Sequence, residues 1–118
     1  MVSSAQPDPT RPIAEFVALK AALKRFEHAW RQDRRPVIDD HLPTDEPLRS
    51  RALIELVHVD LELRLKAGEA ARVEEYLARY RELADDRAVV LGLIVAEHSL
   101  RRRLEAGCSP EEYQRRFP

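Results

Sequence analysis

An acidic-aromatic motif occurs three times in this chain of 118 residues. Its copies are VIDDHL at 37–42, VEEYL at 73–77 and PEEY at 110–113, and each follows an amphipathic stretch and a short polar turn. Residues 30–42 align without a gap on residues 65–77 at an offset of 35 residues, and the third copy follows the second at an offset of 37. A repeat of this length indicates stacked helical units and constrains the fold more than the chemistry.

Apolar residues at three- and four-residue steps predict an all-α fold. We expect a compact bundle in which three long helices, at 12–32, 48–67 and 85–106, alternate with short helices at 37–42, 72–83 and 110–116. Pro12 suits a first helical turn, while Gly68 and Gly107 follow the last apolar positions of the second and third long helices. The predicted buried stripe of the third long helix is Val89, Val90, Leu93, Ile94, Leu100 and Leu104.

Residues 57–65 alternate strictly between apolar and polar side chains, which is the period of a half-buried strand. The stretch is nevertheless rich in Leu, Glu and Arg, and no turn residue bounds it before Gly68. We therefore predict a helix at this position.

Composition indicates one folded domain at 12–118, preceded by a flexible tail at 1–11. Hydrophobic residues make up 44% of the chain, too many for a disordered protein, and residues 1–11 lack the apolar core of a signal peptide. The net charge of −1 gives no global attraction to nucleic acid or membranes. A single cysteine, Cys108, excludes an internal disulfide, so a reducing cytoplasm is the expected location.

Candidate catalytic and metal-binding residues have simpler explanations in the sequence. Neighbouring carboxylates on a helix point in different directions, so the pairs at 39–40, 74–75 and 111–112 are interpreted as charges that stabilise a helix N-terminus. An enzyme built on Asp39, Asp40 and His41 is a remaining alternative.

The histidines do not predict a metal site, because none of the four has metal-ligand spacing to another His or Cys. They are His28, His41, His58 and His98. No cofactor motif is present, and Tyr76, Tyr80, Tyr113 and Phe117 are predicted to pack in the core.

Five arginines near the C-terminus form the candidate interaction surface. They are Arg101, Arg102, Arg103, Arg115 and Arg116. Arginine pairs well with phosphate oxygens, so a small nucleic-acid-binding transcriptional regulator is the alternative function. Neighbouring glutamates and the slightly acidic chain disfavour nucleic acid.

Three groups of motifs carry a resemblance to a known family: RFEHAW at 25–30 with RRP and DDHL, LELR at 61–64 with AGE and EEYLARY, and EEYQRRFP at 111–118. With these motifs the chain resembles the helical region that precedes the kinase domain in many large bacterial serine/threonine protein kinases. The resemblance covers roughly residues 23–118. Arg81 stands where the repeat usually has proline, and His41 stands where a tyrosine is expected.

The resemblance implies a non-catalytic module that binds another protein or a domain further along its own chain. No kinase motif is present in these residues, so the chain is not expected to be an enzyme, and no catalytic residue is carried over. Residues 1–118 are expected to be the N-terminal part of a longer signalling protein.

Overall fold

A computed structural model describes residues 10–32, 36–104 and 110–117, and these residues form no β-strand. The predicted all-α fold and the alternation of long and short helices are confirmed. The helices are α1 (Arg11–Arg31), a short 3₁₀ helix (Ile38–His41), α2 (Leu48–Lys66), α3 (Val73–Arg79), α4 (Arg81–Ala84), α5 (Arg87–Leu104) and α6 (Pro110–Arg116).

The alternating stretch at 57–65 lies inside α2, so the helix prediction there is confirmed. Helical propensity and the uninterrupted run from Leu48 outweigh the two-residue period. The alternation is compatible with a helix because α2 buries side chains on more than one side, so its apolar residues need not follow one narrow stripe. Gly68 follows the helix with a φ of 85°. This left-handed conformation is the one that glycine adopts most easily at a helix C-terminus.

The short helix predicted at 72–83 is wrong as a single element, because Tyr80 divides it into α3 and α4. Tyr80 has φ −118° and ψ 83°, outside the helical region. Its N–H still donates to the Tyr76 carbonyl, and its own carbonyl accepts from the Leu83 N–H. The break allows both Tyr80 and Leu83 to be buried.

The chain divides into two compact units, 1–53 and 54–118, with the boundary inside α2. Buried apolar residues of the first unit are Ala22, Phe26, Ile38, Ala52 and Leu53. Those of the second unit are Leu56, Val57, Leu61, Leu65, Ala71, Val73, Tyr76, Tyr80, Leu83, Leu93 and Tyr113. The predicted division into a tail at 1–11 and one domain at 12–118 stays a prediction, and residues 1–9 of that tail lie outside the described residues.

The buried side of α5 is more polar than predicted. Of the predicted stripe only Leu93 is fully buried. Leu104 is half exposed, so the assignment of Leu104 to the core is wrong. Glu97 and Arg101, one and two turns after Leu93, occupy the buried face instead. Two charged residues in a helix core require partners, and the short helices supply them.

Candidate interaction surfaces

Arg101 of α5 is the centre of a buried cluster, here called the Arg101 cluster, that also contains Glu97, Glu112 and Tyr113. Its guanidinium makes a bidentate ion pair with Glu112 of α6, with Nη2 3.0 Å from Oε1 and Nη1 bonded to Oε2. Nη1 also lies 3.3 Å from the Tyr113 hydroxyl and 3.6 Å from Glu97 Oε2. The cluster therefore fixes α6 on α5 through charge-assisted hydrogen bonds.

Arg116, at the end of α6, links three carboxylates. Its Nη1 donates to Glu97 Oε2 at 2.6 Å and to Glu112 Oε2 at 3.1 Å, and its Nε donates to Glu74 Oε2 of α3 at 2.7 Å. Glu97 Oε1 also accepts from the Val73 backbone N–H at 2.9 Å. Through Glu97 and Arg116, helices α3, α5 and α6 share one polar network.

The same arrangement occurs 37 residues earlier in the chain, as the Arg64 cluster of Asp60, Arg64, Glu75 and Tyr76. Tyr76 donates to Asp60 Oδ2 at 2.6 Å, while Arg64 donates to the Tyr76 hydroxyl at 3.2 Å and to Glu75 at 3.4 Å. In both clusters the arginine lies 5.8 Å from the centre of the tyrosine ring. The repeated motif thus encodes a docking contact between a long helix and a short one.

The first copy of the motif packs on its long helix through a different contact. At the 35-residue offset, Arg25 stands where Asp60 lies and Ala29 stands where Arg64 lies, so the polar cluster cannot form. His41 packs its ring edge-to-face on Phe26 instead, with 5.4 Å between ring centres. An apolar contact replaces the polar cluster in this copy.

The environment of both clusters sets the charge of their members. Burial, reinforced by Asp60, raises the pKa of Tyr76, so its hydroxyl remains a proton donor. Burial alone would raise the pKa of Glu97, but hydrogen bonds from Arg116, Tyr113 and the Val73 N–H hold it below its ordinary value. Hydrogen bonds from Arg101 lower the pKa of Glu112 to about 2 despite partial desolvation. The carboxylates of the Arg101 cluster are therefore ionised at neutral pH.

The five arginines of the predicted interaction surface fall into two groups. Arg101 is 5% exposed and Arg116 is held by three carboxylates, so a ligand could reach their guanidinium groups only by breaking these ion pairs. Arg102, Arg103 and Arg115 are exposed. The surface stays a prediction, and these three residues are the members that a ligand could contact directly.

The histidines and the acidic pair of the first copy lie apart from one another. His28 hydrogen bonds with Gln32 at 2.9 Å, His98 packs edge-to-face on Tyr113 with 5.1 Å between ring centres, and burial lowers the pKa of His58. Asp39 and Asp40 are exposed, while the neighbouring His41 faces Phe26. Among the described residues no three His, Cys, Asp or Glu side chains gather as metal ligands, and Cys108 lies outside these residues.

An exposed apolar stretch at the start of α1 was not anticipated as a surface. Ile13, Phe16 and Val17 are 66%, 56% and 60% exposed and share one helical face, which continues into the exposed Lys20 and Lys24. The Lys20 ammonium lies 5.5 Å from the centre of the Phe16 ring. These five residues are called the α1 surface. Its sequence signal is an apolar stripe that changes to lysine along a single face.

A groove between α5 and α6 forms a second apolar surface, in the unit 54–118. Ile94, Val95, His98 and Tyr113 line this α5 groove, whose volume is about 180 Å³. Val95 is 62% exposed, and Leu91, one turn earlier, is 56% exposed. The Nε2 atom of His98 is buried and has no hydrogen-bond partner in the structure as described.

Comparison with protein-family models, with curated proteins and with solved structures finds no match to this chain. In the described part of the chain, none of the helices combines the length and the apolarity needed to cross a bilayer.

Proposed function

We propose that this chain is a non-catalytic helical protein-interaction module, and that it forms the N-terminal part of a cytoplasmic bacterial serine/threonine protein kinase. The observation that carries the interaction proposal is the α1 surface. Three large apolar side chains are exposed on consecutive positions of one helical face, and such patches mark binding sites in folded proteins.

The α1 surface has the chemistry of an interface core with a charged end. Complete burial of a fully exposed side chain of this size is worth about 1.5 to 3 kcal/mol, so Ile13, Phe16 and Val17, which are 56% to 66% exposed, each gain roughly half of that from a partner. Lys20 and Lys24 extend the same face and favour a partner that carries acidic residues beside its own apolar residues. A helix-in-groove mode of binding fits this spacing.

The clusters of the second unit support a protein-binding role over nucleic-acid binding. Arg101 and Arg116 already neutralise Glu97, Glu112 and Glu74, so two of the five candidate arginines are used within the fold. A protein that binds nucleic acid gains most of its affinity from several phosphate contacts. Three of the five candidate arginines remain exposed, and the chain carries a net charge of −1.

The kinase part of the proposal rests on the sequence resemblance and is tested in the native gene. We expect a glycine-rich loop and a lysine-bearing strand, the signatures of the ATP-binding lobe, within about 100 codons after Pro118. A stop codon directly after Pro118 would remove the basis for this part.

The interaction is tested with the catalytic domain encoded in the same gene. The isotope-labelled chain is titrated with the unlabelled domain, and amide shifts are followed by NMR. We expect shifts concentrated at 13–24 and a loss of affinity of about tenfold or more for Phe16→Glu. The matched control is Leu104→Glu, because Leu104 is also about half exposed but lies on α5. Binding without shifts in α1, or equal losses for both variants, would reject the α1 surface.

A further inference from the structure

The exposed face of α5 changes from apolar to cationic along its length. Leu91, Val95, His98 and Arg102 follow one another at four-, three- and four-residue steps, so they share one face of the helix. A second depression is lined by His98, Ser99, Arg102 and Arg103. His98 lines both depressions, so the basic depression lies next to the α5 groove.

The two arginines at the basic end are available to a ligand. Arg102 and Arg103 are exposed, and no ion pair joins either of them to a carboxylate in the described residues. Their neighbour Arg101 differs, because its guanidinium is buried against Glu112 and Glu97. Arg101 therefore forms ion pairs within the fold, while Arg102 and Arg103 lie in solvent.

We propose that the α5 groove binds an acidic segment of another protein, in which a large apolar side chain is followed by carboxylates. The apolar side chain would lie against Ile94, Val95 and Tyr113, and the carboxylates would pair with Arg102 and Arg103. Val95 and Arg102 are seven residues apart, which is about 10 Å along a helix. The segment must therefore present its apolar and acidic groups at about this separation.

The lining of the groove favours a peptide over a nucleic acid. Three of its four lining residues, Ile94, Val95 and Tyr113, offer apolar or aromatic contact area, and such area is the usual anchor site for peptide side chains. Two arginines can form bidentate pairs with carboxylates. They neutralise too few phosphates for strong nucleic-acid binding.

This inference is independent of the proposed function, because the α1 surface and the α5 groove lie in different units and are tested with different ligands. The probe for the α5 groove is a synthetic helical peptide with leucines in its first turns and glutamates in its last turns. A scrambled peptide of the same composition and a short DNA duplex are the comparison ligands.

The experiment measures peptide affinity by fluorescence anisotropy and maps the site by NMR amide shifts. We expect shifts at Val95 and Arg102, weaker binding of the scrambled peptide, and a loss of affinity of about tenfold or more for Val95→Glu and for Arg102→Glu. Arg81→Glu is the matched control, because it makes the same charge change at an exposed position of α4. Far-UV circular dichroism checks that each variant is folded.

Three results would overturn the proposal. The first is a peptide titration that leaves Val95 and Arg102 unshifted. The second is equal affinity for the ordered and scrambled peptides, since charge alone would then explain binding. The third is binding of the DNA duplex that depends on Arg102 and Arg103 and displaces the peptide, which would assign this surface to nucleic acid.

Discussion

Arg116 and Glu97 form a bidentate ion pair in which Nη1 lies 2.6 Å from Oε2 and Nη2 lies 2.9 Å from Oε1. Glu97 is completely buried, and the Arg116 side chain is 16% exposed. The pair joins residues 19 positions apart and holds the last helix on the middle of α5. A buried carboxylate of this kind is stable only while its cation is present.

Arg116→Ala is expected to destabilise the chain by about 3 kcal/mol or more, because it leaves Glu97 buried and partly uncompensated. Arg115→Ala removes an equal charge from the exposed side of α6 and is expected to cost less than about 0.5 kcal/mol. Urea unfolding followed by circular dichroism measures both changes. Similar losses for the two variants would show that Arg116 does not stabilise the fold through Glu97.

Acid is expected to destabilise the chain through Glu112, Glu97 and Glu74. Their pKa values are all lowered in the folded state, that of Glu112 to about 2, so the folded protein binds these protons less readily than the unfolded chain. The stabilisation is complete above the ordinary glutamate pKa of 4.5 and is lost as the pH falls from there toward about 2.

Urea unfolding at a series of pH values between 7 and about 2 tests this pH dependence. Glu112→Gln is expected to be less stable at pH 7 and to lose less stability on acidification, because one of the depressed carboxyls is absent. An identical decline for the wild type and the variant would contradict the assignment to Glu112.

Replacing glycine by alanine is expected to lower the stability of the folded chain at position 68 and to raise it at position 92. Gly68→Ala should destabilise the chain by about 1 kcal/mol, because its φ of 85° is strained for alanine although no atom obstructs the new Cβ. Gly92→Ala, inside α5 and also unobstructed, should stabilise the chain by about 0.8 kcal/mol through helix propensity. Thermal unfolding measures both, and a gain at Gly68 would contradict the role of its conformation.

Proline at position 81 is expected to be tolerated. Arg81 is the first residue of α4, where a helix does not need the N–H, and the preceding Tyr80 is already non-helical. Arg81→Pro should therefore change stability by less than about 1 kcal/mol. Arg79→Pro, at the last residue of α3, should cost more, up to about 3 kcal/mol, because proline removes an N–H that bonds within the helix. Equal losses in urea unfolding would mean that Tyr80 does not separate two helices.

The helices were largely predictable from sequence because local signals specify them. Apolar periodicity, Pro12 and Gly68 placed α1 and α2 to within about two residues, which is the usual uncertainty of helix ends. The break at Tyr80 was not predictable in this way, since it depends on burying Tyr80 and Leu83 together. No local pattern of charge or turn residues marks it.

The proposed binding surfaces were the least predictable part. From the sequence alone, the apolar residues Leu91 and Val95 would be assigned to the core. Glu97 and Arg101 would be read as an exposed ion pair at i, i+4. The 37-residue correspondence of Asp60 with Glu97 and of Arg64 with Arg101 was present in the sequence. It could have indicated that these charges belong to the repeated contact between helices.

Local sequence signals specify the all-α fold, the alternation of long and short helices and the positions of the repeated motif, because propensity, periodicity and turn residues act over a few neighbours. Which charges are buried and which apolar side chains are exposed depends instead on how the helices pack. Glu97 became a core residue because Arg116, Arg101 and the Val73 N–H converge on its carboxylate, and Val95 became a surface residue because it lies on the opposite face of α5. Such convergence depends on the packing of helices that are distant in sequence.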